Sequence, residues 1–384
     1  DNNKGVWRMR ERSEGRTQFT VQAVCPNSGP KHRKQMIGRS VLRALGITAA
    51  LLAPAGAALA QDAQAFAAPP EPAIMSDLAS KTLLLDAVSA GERLVAVGSR
   101  GHILYSDDQG ESWTQAEVPV RQVLTAVYFV DEQNGWAVGH DSMILHSRDG
   151  GQNWALQYRD PALDKPADPD GPGLLERPLM DVWFRDAQTG FAVGAYGLFL
   201  RTDDGGATWE ERSDSIDNEY GMHYNAIAPV HNAGLMMVGE MGSMYRSSDY
   251  GDTWETLDTS PYDGTWFGVS GTGKTGQVVV WGLRGNLYRS ENFGFSWQPA
   301  EFSNKAPQAT LLGGNLSADG KLAIVGAGGV VLTSDDHGKT FEAHTRADRV
   351  ALATAKRLPD GHLLLVGQHG VVRASANGLK DSQQ

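Results

Sequence analysis

Short apolar runs alternating with polar positions recur along most of this chain, and each is bounded by Gly, Asp, Ser or Asn. Alternation at period two predicts half-buried β-strands, and the bounding residues predict tight turns. The pattern repeats at long range. A run ending in Val-Gly, two or three residues, a second small residue and another apolar run occur seven times, with leading glycines Gly98, Gly139, Gly194, Gly239, Gly282, Gly326 and Gly367. Their spacings of 41, 55, 45, 43, 44 and 41 residues suit one four-stranded propeller blade per repeat. In the second repeat the expected strands are Leu124–Val130, Trp136–Val138, Met143–His146 and Trp154–Tyr158. The predicted fold is an all-β, seven-bladed β-propeller of four-stranded antiparallel blades over residues 81–384.

A second phrase, Ser/Thr-x-Asp-x-Gly-x-Thr/Ser/Asn-Trp/Phe, follows each of the first six copies. Its defining residues are Ser106, Asp108, Gly110 and Trp113; Ser147, Asp149, Gly151 and Trp154; and Thr202, Asp204, Gly206 and Trp209. The later copies hold Ser247, Asp249, Gly251 and Trp254; Ser290, Asn292, Gly294 and Trp297; and Ser334, Asp336, Gly338 and Phe341. This is the Asp-box, or bacterial neuraminidase repeat. The short Asp and Ser/Thr side chains can bond their own turn, Gly allows a positive φ, and the terminal aromatic restarts a strand. Sixfold recurrence argues for a structural corner, because catalysis needs one site. The seventh repeat decays to Ala374-Ser375-Ala376-Asn377-Gly378 and leaves no room for a fourth strand. An open edge strand invites aggregation. The stretch Ala63–Met75 is therefore expected to supply that strand and close the ring, with residues 61–80 as linker and closing strand.

Ten Trp, ten Tyr and eleven Phe among 384 residues supply ample surface to bury, which argues against disorder. The single cysteine, Cys25, excludes a disulfide framework and a Cys-based metal site. Basic residues from Lys31 to Arg43 precede an apolar run, Ala44–Ala60, that ends in Ala58-Leu59-Ala60. That order predicts a secretory signal peptide over residues 36–60, starting at Met36, with residues 1–35 an upstream extension absent from the mature protein. A plastid-type bipartite presequence is the alternative, and no cysteine follows the run to carry a lipid anchor. Residues 1–60 hold ten Lys/Arg against three Asp/Glu, so removing them leaves 24 basic and 42 acidic residues, a net charge of −18. A nucleic-acid role would need a basic face. The expected product is exported and periplasmic, with the thylakoid lumen as the alternative, and with no direct membrane insertion once mature.

In such a blade the turn between the second and third strands lies on the face opposite the acidic corners. Its central residues are Arg100, Asp141, Tyr196, Met241, Arg284, Gly328 and His369, a varied ring suited to contact with a partner or simply to solvent. Arg100 and Arg284 stand out on an acidic body, because two guanidinium groups can grip carboxylates. A Pro- and Gly-rich insertion, residues 160–173, and the connection Asp217–Tyr224, with Tyr220, Met222, His223 and Tyr224, reach the same face. Gly268–Thr275 fits the P-loop pattern, but a strand follows it where a phosphate site needs a helix. No His-x-His or His-x-x-x-His pair suggests zinc, and no cofactor or metal is expected.

The pairing of Val-Gly-x-Arg-Gly-x-Ile/Leu with the acidic corner, clearest at Val97–Trp113 and Trp281–Trp297, resembles the photosystem II stability/assembly factor family. The resemblance implies a seven-bladed propeller in an exported compartment, acting as a non-enzymatic assembly factor. It also implies that Arg100 and Arg284 match a partner-binding arginine patch. Five of the seven repeats lack the Arg-Gly pair, so the patch is thinner here. Family members in non-photosynthetic bacteria often accompany resistance-nodulation-division transporters, which makes a membrane protein or complex the expected partner. The alternative is a glycoside hydrolase or glycan-binding lectin, since Asp-boxes also occur in sialidases. The aromatic-Arg-Ile-Pro motif of sialidases is missing; Glu176-Arg177-Pro178 comes nearest, and Asp141, Asp181 and Glu240 are the acids that could reach the channel mouth.

Overall fold

Seven strands stand side by side around a central channel in the computed structural model, which describes residues 70–164 and 175–380. They are Leu84–Ala90, Leu124–Phe129, Leu179–Phe184, Tyr224–Val230, Trp266–Gly271, Leu311–Leu316 and Leu352–Arg357. Each is the innermost strand of an antiparallel sheet that meanders outward in chain order, and the first packs against the last to close the ring. The architecture is the expected seven-bladed, all-β propeller. In blade two the strands are Leu124–Phe129, Gly135–Gly139, Ile144–Ser147 and Ala155–Tyr158, within one residue of the alternation pattern at nearly every end. Gly268–Gly276 forms the end of one strand and the hairpin turn before Val278–Gly282, so no helix follows the P-loop look-alike.

Two sheets depart from four strands. Blade six gains a fifth from Glu301–Phe302, which runs parallel to Thr340–Thr345. Blade seven shows three among the described residues, ending at Gly370–Ala374. Within the stretch expected to complete it, Pro70–Met75 forms no strand and lies on blade one instead. There the Ala73 amide bonds the Val118 carbonyl at 3.0 Å, and Gln115 bonds Ile74 and Ser76. The expectation of strand pairing is thus corrected for these residues, because their backbone groups are satisfied by the outer edge of the first blade. Residues 63–69 of that stretch, the expected signal peptide and upstream extension, and residues 165–174 of the insertion lie outside the described residues.

Apolar side chains fill the wedges between neighbouring sheets. Between blades two and three, Trp136 lies flat between His146 and Phe184, with ring centroids 4.6 and 3.5 Å away. Between blades seven and one, Leu364, Val366 and Leu358 meet Leu84, Leu94 and Leu104 beneath Trp113. Burying one such side chain stabilises the fold by about 1.5–3 kcal/mol.

The six acidic corners share one geometry. In the copy at blade four, the Ser247 hydroxyl donates to Asp249 at 2.7 Å and accepts the Gly251 amide at 2.7 Å. Asp249 in turn accepts the Thr253 amide and hydroxyl at 2.9 and 2.7 Å. Hydroxyl and amide donors hold the carboxyls of Asp108 and Asp249 down to about 2, against the pull of burial at Asp249. Where Asn292 replaces Asp, the Ser290 and Ser296 contacts survive at 3.0 Å. Even the decayed seventh copy retains Ser375 donating to Asn377 at 2.7 Å.

Candidate functional site

The turn that joins the second and third strands of each blade is tied to the inner strand by one repeated bond. The amides of Ser99, His140, Ala195, Glu240, Leu283, Ala327 and Gln368 donate to the carbonyls of Leu83, Val123, Pro178, His223, Thr265, Thr310 and Ala351, at 2.9–3.2 Å. This close approach explains the leading glycine. At Gly239 the backbone is extended, with φ −159°, yet a Cβ would meet the His223 carbonyl oxygen at 2.0 Å. The same collision, at 2.0–2.4 Å, faces the other six. The residue is glycine for want of space.

One step further on, the backbone changes hand. In six of the seven turns the central residue sits in the left-handed region: Arg100 at φ 59°, Asp141 at 56°, Tyr196 at 56°, Met241 at 51°, Arg284 at 58° and Gly328 at 67°. An L-residue there costs about 1–2 kcal/mol, which glycine avoids. Five of the six carry a side chain nonetheless. His369 belongs to a shorter turn that ends at Gly370, φ 81°, and is exposed outside that geometry.

The structure places these side chains on the rim in different circumstances. Arg100 and Arg284 are exposed, and neither has a hydrogen-bonding or ionic partner among the described residues. Asp141 is half-buried and accepts from the Gln122 amide at 3.0 Å. Tyr196 lies edge-on to His223, with centroids 4.7 Å apart. The connection 217–223 arrives on this rim as expected, but Tyr224 is fully buried, because it opens the inner strand of blade four.

Of the three acids that a hydrolase reading needs, each is engaged separately. Glu240 accepts the His223 amide at 3.3 Å and Asp141 is held by Gln122. Asp181 lies inside the channel, where its carboxylate accepts the amides of Val182 and Ile227 at 2.8 and 2.9 Å.

The channel holds a feature that the sequence pattern did not single out. Its cavity of about 500 Å³ is lined by all seven inner strands and contains Asp86 as well as Asp181. Asp86 bonds its own blade at Ala87 and the next at Val127, as Asp181 bonds Val182 and Ile227. Burial pushes the two carboxyls up to about 6 and about 7, against their amide donors, and Asp86 raises Asp181 further. Lys356, half-buried, is pushed below the usual lysine value by desolvation, with Asp86 opposing. Among the described residues no cluster of His, Cys, Asp and Glu could hold a metal ion, and no helix is long and apolar enough to cross a membrane.

The family model for photosynthesis system II assembly factor YCF48 matches residues 105–169 and 174–306, more than half of the chain. The chain belongs to that family. The photosystem II assembly lipoprotein Ycf48 of Synechococcus sp. (strain CC9902) is 28% identical over 161 residues, which cover 41% of this chain and 43% of the relative. The chloroplastic photosystem II stability/assembly factor HCF136 of Oryza sativa subsp. japonica is 30% identical over 96 residues, 24% of this chain and 22% of the relative. The match thus spans less than half the length of these curated relatives. Among solved structures, YCF48 bound to D1 peptide superposes with a TM-score of 0.55 at 17% identity, covering 83% of this chain and 97% of that one. YCF48 from Cyanidioschyzon merolae gives 0.55 at 17% identity, covering 79% and 98%. At such identities the structural likeness shows the YCF48 fold and nothing finer.

Proposed function

We propose that this YCF48-family propeller is an exported, non-enzymatic scaffold that binds a protein partner through the rim bearing Arg100, Asp141, Tyr196, Met241, Arg284 and His369, and so assists assembly or function of a membrane protein complex. A resistance-nodulation-division transporter is the partner class that the bacterial-type leader favours. One observation carries the reading. Two arginines stand on strained turn summits, exposed and without an ion pair among the described residues, on a chain of net charge −11. Both turns hold their side chains out on left-handed backbone, and an unpaired guanidinium is free to take a partner's carboxylate in two parallel hydrogen bonds. A relative of the same fold is described as bound to a D1 peptide, and the curated relatives are named as assembly factors. Export rests on the leader-like segment and on relatives named as a lipoprotein and as chloroplastic.

Affinity capture from detergent-solubilised membranes tests the proposal. Wild type is expected to recover membrane proteins that the double variant Arg100→Glu/Arg284→Glu loses. Equal recovery by both would remove the arginine rim as the binding face.

A further inference from the structure

We propose that recognition on this rim is centred on an apolar platform formed by Tyr196, Tyr220 and Met241, with Arg284 at one end. Its occupant is an extended peptide segment of the partner, carrying aliphatic or aromatic side chains and one carboxylate. This deepens the protein-binding reading above and rests on it.

The elements that carry the platform are linked one to the next. The turn carrying Tyr196 meets the connection 217–223 at the Tyr196–His223 ring contact. That connection meets the next turn where the Glu240 amide bonds the His223 carbonyl at 3.2 Å. The turn of Met241 in turn bonds the following connection, Gly242 amide to Gly264 carbonyl at 2.8 Å, and the adjoining Thr265 carbonyl accepts the Leu283 amide beside Arg284 at 3.1 Å. Tyr196, Tyr220 and Met241 are 49%, 80% and 68% exposed, so three large apolar side chains stand in water on these linked elements. Isolated exposed apolar residues are ordinary, whereas a gathered set marks a contact surface. Tyrosine and methionine are also the types that interfaces favour, one rigid and amphipathic, the other adaptable.

Hydrogen bonds and ring contacts brace the elements that carry the platform, and a braced surface lowers the entropic cost of docking. Asn218 clamps its own loop by accepting the Met222 amide and donating to the Met222 carbonyl, both at 2.9 Å. On the other side, Tyr262 packs edge-on to Trp266, whose indole donates to Ser260 at 3.2 Å. Charge sets the polarity of the occupant. Glu219 and Asp263 are exposed at the margins and disfavour an anion near the centre. Arg284, exposed and without an ionic partner among the described residues, is the complementary place for a carboxylate.

The test uses the mature chain and four fluorescein-labelled extended peptides, read by anisotropy. The first alternates Leu and Phe with Ser and ends in a free carboxylate. The second is its C-terminal amide, the third replaces Leu and Phe by Ser, and the fourth adds lysines. The first is expected to bind most tightly. Tyr196→Ala/Met241→Ala should weaken it by about tenfold or more. Raising salt from about 0.1 to about 1 M should change affinity by less than about threefold, because the contact is mainly apolar. Arg284→Gln should abolish the preference over the amide. Equal binding by the Ser peptide, loss of binding in salt, or no binding by any peptide would overturn the platform. If Tyr196→Ala/Met241→Ala still captures membrane partners and Arg100→Glu/Arg284→Glu does not, the platform fails while the protein-binding reading stands. If neither loses capture, that reading fails too.

Discussion

At the scale of single residues, space and handedness make separable demands on glycine. Gly239 has ordinary extended backbone but no room for a Cβ, whereas Gly328 has φ 67° and nothing within 4 Å of the Cβ position. Gly328→Ala is therefore expected to cost about 1 kcal/mol, the left-handed penalty alone. Gly239→Ala should cost more, about 2–3 kcal/mol, because the inner strand must move away. Urea denaturation of the two variants checks the order. The recurrence of the glycines was legible in the sequence, but its cause was not, since the collision depends on the register of a strand about fifteen residues upstream. Asp181 was legible as an acid near the channel mouth, but its companion Asp86 was hidden for a related reason, as donors that hold the two also come from neighbouring blades. Folding raises both above the ordinary value near 3.8, so the folded chain holds these protons more tightly than the unfolded chain. Their contribution to stability is complete below about pH 4 and is lost as pH rises through 6 to 7. Asp181→Asn should remove part of that decline, with a melting-temperature gain over wild type that widens from about pH 4 and levels above about 7. On the order of 4 kcal/mol is expected at the plateau. Parallel pH profiles for variant and wild type would contradict the assignment.

At the scale of elements, the acidic corner works as a unit. Ser247 is buried and serves both Asp249 and the Gly251 amide, so Ser247→Ala leaves a buried donor unmatched and should cost about 1–3 kcal/mol. Chemical denaturation checks this. The corners also set the acid limit. Their carboxyls lie below the ordinary value, so their contribution is present above about pH 4 and is lost as pH falls towards 2. Corner and strand boundaries could be read from the sequence because both are local: turn chemistry repeats at a fixed offset, and alternation marks the faces. What escaped that reading is non-local. The parallel strand Glu301–Phe302 pairs with residues nearly forty positions away, and no periodicity announces it. Tyr224 likewise resembled the exposed aromatics beside it until the strand it opens buried its ring.

At the scale of the whole molecule, stability depends on the seam where the last blade meets the first. Leu364 is fully buried there among Leu84, Leu94 and Leu104. Leu364→Ala should cost about 2–5 kcal/mol and lower the melting temperature of the ring as one transition. Deleting residues 61–78 removes the Ala73–Val118 and Gln115 contacts together with the stretch expected to complete blade seven. That truncation uncovers the outer edge of blade one and should lower the melting temperature; melting like the full chain would show that these contacts do not stabilise the ring. Ring size followed from counting repeats, whereas the manner of closure did not, because it depends on where the ends of the chain lie. The sevenfold bond between turn and inner strand has a further consequence. It is made by main-chain atoms alone, so any side chain that tolerates the summit can be exchanged without disturbing the frame. Specificity is thereby uncoupled from architecture, and descendants of one toroid could acquire new clients by changing six or seven positions while the masonry beneath stays as it was.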